Sequence, residues 1–185
     1  GDVQSLILSE FNNFVEPPAE DIYLSIVVTG RNDHFANGFE NRSQVFLYQL
    51  GESLKKVPTA SFELVFVDYA TDYPTNPYLS EIFDWPPELI KRTRFIIVPA
   101  SFHEKISQRI NSTTPFLEYV AKNIGIWRSK GKFVLTMNPD SILSTNFFEC
   151  ISGHNLNEGF LYQTARFCLD EEMLMSNTIE EVLQL

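Results

Sequence analysis

The stretch AKNIGIWRSKGKFVLTMNPD, residues 121–140, joins a helical pattern to a strand pattern within twenty residues. Its first part continues a pattern that predicts a helix over 116–128. Gly131 closes that segment, and the near-continuous apolar run 132–137 predicts a buried strand. The strand ends at the polar turn Asn138-Pro139-Asp140. A helix leading directly into a buried strand is typical of α/β domains.

Similar patterns occur along most of the chain and predict the fold class. An amphipathic helix is expected at 39–54 and a short terminal helix at 178–185. Apolar runs predict further strands at 24–30, 62–67, 94–98 and 160–167. Strands that are apolar throughout, alternating with helices, predict an α/β three-layer sandwich around a mostly parallel central sheet.

The polar residues that follow the predicted strands are the first indication of a site. Arg31, Asn32 and Asp33 follow the first strand, Asp68 follows the second, and the 138–140 turn follows the fourth. In parallel sheets, ligands bind beyond the carboxyl ends of the strands. We therefore expect these side chains to meet at one edge of the sheet.

Charge and hydropathy exclude nucleic acid as a partner and a membrane span within this chain. The chain has 185 residues, with 24 acidic and 14 basic side chains and a net charge of −10. No cluster of Lys and Arg could follow a phosphate backbone, so nucleic acid is excluded as a partner. No apolar run approaches the roughly 20 residues of a membrane span. A small anionic ligand stays compatible, because a helix N-terminus or a bound cation can supply positive charge.

Several catalytic and binding motifs are missing from the sequence. No G-x-G-x-x-G follows the first strand, which excludes a dinucleotide-binding site of that kind, and there is no G-x-S-x-G nucleophile turn. The three histidines share no ligand spacing with the two cysteines, so each is expected to be a surface or hydrogen-bonding residue. A sugar-1-phosphate nucleotidyltransferase would need a Gly-rich basic loop after the first strand, and Gly30-Arg31-Asn32 is too poor in glycine.

Three motifs in order resemble those of GT-A-fold glycosyltransferases of the family-2 type. The run 24–33 resembles that family's first strand and its polar end. Residues 62–72 resemble its second strand and acidic loop, with Thr71 and Asp72 beyond Asp68. The third motif resembles a helix of pattern A-[RK]-N-x-G-x-x-x-[AS]-x-G before a strand and a D-x-D motif, matched here by Ala121, Lys122, Asn123, Gly125, Ser129 and Gly131.

The resemblance implies a transferase that binds a nucleoside-diphosphate sugar, most simply a UDP-sugar, together with Mn2+ or Mg2+. Asp140 matches the last aspartate of D-x-D and would hold the metal, assisted by Asn138, which stands where the family has another aspartate. Such a cation neutralises the departing diphosphate. The sugar acceptor would be a glycan or another hydroxyl compound. By the same resemblance Thr29, Arg31, Asn32 and Asp68 would hold the nucleoside, while Lys122 and Arg128 would offset phosphate charge.

Each of these residues also has a structural interpretation. Asp140 suits a helix or turn cap, Asn138-Pro139 is a common turn pair, and Asp68 suits a turn. Gly125 and Asn123 suit close packing of a helix on a sheet, and Lys122 and Arg128 suit an exposed helix face. The acidic run 170–172 suits a solvated loop or a catalytic base.

The domain limits leave a second function open. We expect an N-terminal extension over 1–23 and one GT-A-like domain over 24–185, whose acceptor half is short or missing because only 45 residues follow Asp140. That length, together with Asn138, favours the alternative of an inactive binding or scaffold module. The chain begins at Gly1 without Met, so a cytoplasmic location and a secretory-pathway lumen both stay open.

Overall fold

The structure, a computed structural model, describes residues 22–33 and 38–163. This part of the chain contains a four-stranded sheet made of β1 (Leu24–Gly30), β2 (Phe62–Tyr69), β3 (Thr93–Val98) and β4 (Phe133–Thr136). Its helices are α1 (Phe39–Lys56), α2 (Leu79–Ile82), α3 (Pro87–Ile90), α4 (Ala100–Ile110), α5 (Glu118–Trp127) and α6 (Thr145–Ser152). None of the helices in these residues is long and apolar enough to cross a membrane.

The sheet is parallel throughout, in the order β3-β2-β1-β4. Strand β1 pairs with β2 from Leu24 opposite Phe62 to Gly30 opposite Asp68, and with β4 on its other side. Every residue of β1 and β2 is buried. The prediction of an α/β fold with a parallel sheet is therefore confirmed at this level.

Alternate residues of the strands face two separate cores, one on each side of the sheet. On one side Ile26 and Phe66 pack with residues of α1 and with Phe148 of α6. On the other side Val27 and Val67 pack with residues of α5 and of the α4 start. Helices thus cover both faces of the sheet, as the three-layer prediction requires.

Helix α5 approaches the sheet closely at a glycine. A Cβ built on Gly125 would lie 2.4 Å from Val27 Cγ1 and 3.1 Å from Val67 Cγ2. Only a residue without a side chain permits this separation of helix and sheet. The structural interpretation as a close-packing residue is confirmed for Gly125 and is wrong for Asn123, which is exposed on the same helix.

A buried carboxylate fixes the connection from α5 to β4 at the amino-terminal edge of the sheet. Glu63 Oε1 accepts hydrogen bonds from Ser25 Oγ at 2.6 Å and from Lys130 N at 2.7 Å. Arg94 Nε donates to Glu63 Oε2 at 2.7 Å. These bonds lower the pKa of Glu63 against the opposing effect of burial, which is the largest single influence on it. They hold β1, β2, β3 and the segment before β4 together.

Four helices, α2, α3, α4 and α6, were not predicted, and one predicted strand is not found where the structure can test it. Helix α4 buries none of its residues, and helix α6 has eight residues and buries Phe148 and Ile151. Helices α2 and α3 are only four residues long, and α3 starts directly at Pro87. Of the strand predicted over 160–167, residues 160–163 are not in a strand, and the rest lies outside the described residues. The predicted helix 178–185, the acidic run 170–172 and nearly all of the extension 1–23 lie outside them as well.

We expect Gly125→Ala to lower the free energy of unfolding by about 1–3 kcal/mol, because the new methyl group overpacks against Val27. Urea denaturation measures the loss. Asn123→Ala, on the exposed side of the same helix, is the control and should change stability by no more than about 0.5 kcal/mol.

Combining Gly125→Ala with Val27→Ala removes the atom that the methyl group meets. The double variant should therefore be more stable than the sum of the two single losses by at least about 0.5 kcal/mol. Strict additivity would contradict a contact between this glycine and β1.

Candidate functional site

The strand order places a topological switch point between β1 and β4. The chain passes from β1 outward to β2 and β3 and then returns to β4 on the other side of β1. Ligands of open α/β sheets bind at such a point, beyond the carboxyl ends of the strands. Arg31 and Asn32 follow β1 there, and Asn138 follows β4 two residues after its end. The prediction that these residues meet at one edge is supported by the topology.

Arg31 is held against the approach to α5. Its guanidinium pairs with the Asp33 carboxylate and donates to the Pro115 carbonyl oxygen. It also lies over the Phe116 ring, 5.8 Å from the ring centroid. The side chain thus bridges the end of β1 and the start of the α5 segment, with its charge compensated by Asp33.

Asn32 belongs to a buried network that links the ends of β1 and β2. Its backbone N–H donates to Thr71 Oγ1 at 3.0 Å, and its side-chain amide donates to the Pro77 carbonyl oxygen at 2.9 Å. The Thr71 hydroxyl in turn donates to Asp68 Oδ1. Thr29, the second-to-last residue of β1, is buried as well. The nucleoside roles predicted for these residues remain predictions.

Asp68 is engaged inside the protein. Only 2% of the residue is exposed, and its Oδ2 accepts a hydrogen bond from Leu79 N, the first residue of α2, at 2.6 Å. Burial, partly opposed by these bonds, raises the pKa of Asp68 to about 6. In this structure the carboxylate ties β2 to the α2 loop and presents almost no surface to a ligand.

Lys122 and Asn138 are in contact, as part of a chain of three side chains. The Lys122 ammonium donates to Asn138 Oδ1 at 3.0 Å and pairs with Glu118 Oε1 at 2.6 Å. Ser141 N donates to the Asn138 carbonyl oxygen at 3.2 Å, which closes a turn over 138–141. The turn interpretation of Asn138-Pro139 is confirmed, and Pro139 within it is buried.

Asp140 lies in the same turn but has a different partner. Its Oδ2 is 3.4 Å from Arg42 Nε, which belongs to the first turns of α1. Helix α1 covers one face of the sheet and α5, which carries Lys122, covers the other. Asn138 and Asp140 therefore contact cations that come from opposite layers of the domain.

Arg128 is not brought to this edge. It caps the carboxyl end of α5, and its carbonyl oxygen accepts a hydrogen bond from Arg94, the second residue of β3. That position lies at the amino-terminal edge of the sheet, because α5 runs antiparallel to the strands. The expectation that Arg128 joins Lys122 in offsetting phosphate charge is not met by this geometry.

Four residues near the edge were not identified from the sequence. Arg42 and Glu118 are the charged partners described above. Tyr69 ends β2, and its hydroxyl lies 3.3 Å from His103 Nδ1 on α4. Burial lowers the pKa of His103. The position of Tyr69 directly after Asp68 was the only available signal, since the others depend on contacts between distant segments.

Comparisons with protein-family models, with curated proteins and with solved structures find no match for this chain. The resemblance to glycosyltransferases therefore rests on the sequence motifs.

We expect the stability of the protein to depend on pH through Asp68. Its pKa is raised from 3.8 to about 6 in the folded state, so the folded state binds the proton more tightly than the unfolded chain. The free energy of unfolding should fall by about 2–3 kcal/mol as pH rises from 3.8 to about 6. Asp68→Asn removes this step while keeping an acceptor for Leu79 N.

Urea denaturation at several pH values measures the difference between the wild type and Asp68→Asn. Asp72→Asn, an exposed carboxylate in the same loop, is the control and should retain the wild-type profile. A wild-type profile in Asp68→Asn would show that Asp68 titrates as an ordinary exposed carboxylate.

Proposed function

We propose that this chain is a nucleoside-diphosphate-sugar-binding domain of a glycosyltransferase. The observation that carries the proposal is the switch point between β1 and β4, where Arg31, Lys122 and Asn138 come from three separate segments. The order and spacing of the three sequence motifs support the choice of a nucleotide sugar over other ligands of α/β sheets.

The proposed roles follow from the contacts at that edge. The Asn32 loop would line the nucleoside, since it closes the end of β1 above the buried Thr71 hydroxyl. Asp68 acts here as a positioning residue, because its carboxylate orients Thr71 and the start of α2. The Lys122 ammonium would face the diphosphate. In such a transfer, the acceptor oxygen forms a bond to the anomeric carbon and its proton passes to a base, while the bond from that carbon to the diphosphate breaks and the nucleoside diphosphate leaves with the bonding electrons.

The side chains at the β4 turn fit poorly as a site for a protein-held divalent cation. Mg2+ and Mn2+ sites in such enzymes use one or two carboxylates and the substrate phosphates. Asn138 contributes an uncharged amide that already contacts Lys122, and the Asp140 carboxylate pairs with Arg42 from the opposite layer. Among the described residues no three His, Cys, Asp or Glu side chains form a group that could hold a metal. The metal role of Asp140 and Asn138 therefore remains a prediction from the resemblance.

A second function, a GT-A-like module that binds a nucleotide sugar without transferring it, is favoured by one observation. The turn that would support departure of the diphosphate carries Asn138 in place of a carboxylate. No residue on the described part of the chain is assigned as the base for an acceptor hydroxyl. Both functions require nucleotide binding, and they differ in turnover.

We expect saturating UDP or a UDP-sugar to raise the melting temperature, because a ligand that binds only the folded state stabilises it. At a concentration about 100 times the dissociation constant, the gain is about 2.7 kcal/mol, or about 5–10 °C for a domain of this size. Differential scanning fluorimetry with uridine, guanosine and adenosine diphosphates and their sugars measures the shift.

Lys122→Ala should reduce the shift, while Lys91→Ala, an exposed lysine before β3 at the opposite edge, is the charge-matched control. The absence of a shift with every nucleotide would refute the proposed function. A shift without release of nucleoside diphosphate from the sugar, even with varied acceptors, would favour the binding module.

A further inference from the structure

We infer that the Lys122 ammonium takes the place of a divalent cation at this site, so that the diphosphate is bound without a metal. The inference rests on the proposed function and concerns how the same edge neutralises the negative charge of its ligand. It is carried by the contacts of Lys122, Asn138 and Asp140.

Two side-chain oxygens from different elements converge on the Lys122 ammonium. Glu118 Oε1 lies 2.6 Å from Nζ and Asn138 Oδ1 lies 3.0 Å from it. Only 18% of the lysine side chain is exposed. Oxygens from a helix and from a strand-end turn are the donors that a hard cation would use, and here they already surround a positive charge of the protein.

The position of that ammonium is fixed by the packing of its helix. Lys122 precedes Gly125 by three residues on α5, so the two lie close together on the helix. Gly125 sets the distance of α5 from β1 and β2. The lysine is thus carried on a rigid element next to the switch point, as a binding group requires.

The nearby Asp140 does not complete a metal site with Asn138. Its carboxylate pairs with Arg42, which comes from the layer on the other face of the sheet. A single ion ligated by both side chains would have to displace two protein cations. One side-chain oxygen of each residue, Asn138 Oδ1 and Asp140 Oδ2, already has a cationic partner in the protein.

A neutral amide at position 138, rather than a carboxylate, favours binding of a diphosphate by the Lys122 ammonium. With an aspartate there, Lys122 would face two carboxylates and the group would be net negative, whereas Lys122, Glu118 and Asn138 together are neutral. With Asn138 the only formal negative partner of Lys122 in the described contacts is Glu118. A diphosphate would then compete with Glu118 for the ammonium, since like charges near one cation repel.

The first experiment compares UDP binding to the wild-type chain by calorimetry in EDTA and in Mn2+. We expect dissociation constants within about twofold of each other, and a loss of tenfold or more in EDTA, about 1.4 kcal/mol, would overturn the inference. Mn2+ is also titrated into the protein without nucleotide and followed by electron paramagnetic resonance. The inference predicts no site there, and one saturable Mn2+ site that Asp140→Ala abolishes would overturn it.

The second experiment uses variants whose effects have opposite signs. Lys122→Met should weaken UDP binding in EDTA about tenfold, and Glu118→Gln should tighten it about twofold, because it removes the competing carboxylate. Asn138→Asp should weaken UDP binding in EDTA. Lys91→Met is the control and should bind like the wild type. Tighter binding by Glu118→Gln cannot arise from misfolding, and weaker binding by that variant would contradict the inference.

The two proposals can fail separately. If no nucleoside diphosphate binds in either buffer, the proposed function is wrong, and the Mn2+ titration still decides whether the turn holds a metal. If UDP binds only with Mn2+, the proposed function stands and the role given to Lys122 is wrong.

Discussion

The contact between Gly125 and Val27 is the constraint on which the positions of the site residues depend. It brings α5 onto β1, a strand that pairs on both sides and is buried throughout. The same helix carries Lys122 to the carboxyl edge and delivers the chain through Gly131 into β4, where the Glu63 carboxylate holds the connection. The close approach of Gly125 to Val27 thus determines the distance between α5 and β1, the point at which the chain enters β4, and the position of Lys122.

The fold could be predicted where burial leaves a clear pattern in the sequence. Strands β1 and β2 are covered on both faces, so their apolar runs are continuous and their limits were found closely. Helix α4, which buries none of its residues, and helix α6, which has only eight residues, were not predicted. The rule that ligands lie beyond strand ends selected Asn32, Asp68 and Asn138 correctly as residues of one edge. The resemblance, not this rule, suggested Arg128, which lies six residues of helix, about 9 Å, from Lys122.

The chemical state of the site could not be predicted because it depends on partners far away in the sequence. The Asp140 carboxylate pairs with Arg42, and the Asp68 carboxylate accepts a hydrogen bond from the start of α2. Neither partner shares a motif with the residue it contacts. Every cation described at this edge, Arg31, Arg42 and Lys122, has a carboxylate partner. What distinguishes Lys122 is the additional neutral amide.

The buried Asp68 connects the proposed site to proton concentration. Its carboxylate lies beneath Thr71, which in turn holds the Asn32 backbone, and its pKa of about 6 is within reach of cellular pH. Any ligand that shifts the Asn32 loop would alter the solvation of this carboxylate, and the protein would then take up or release a fraction of a proton on binding. The binding enthalpy would consequently vary with the ionisation enthalpy of the buffer, so that occupancy of the site and acidity of the surroundings would be thermodynamically linked.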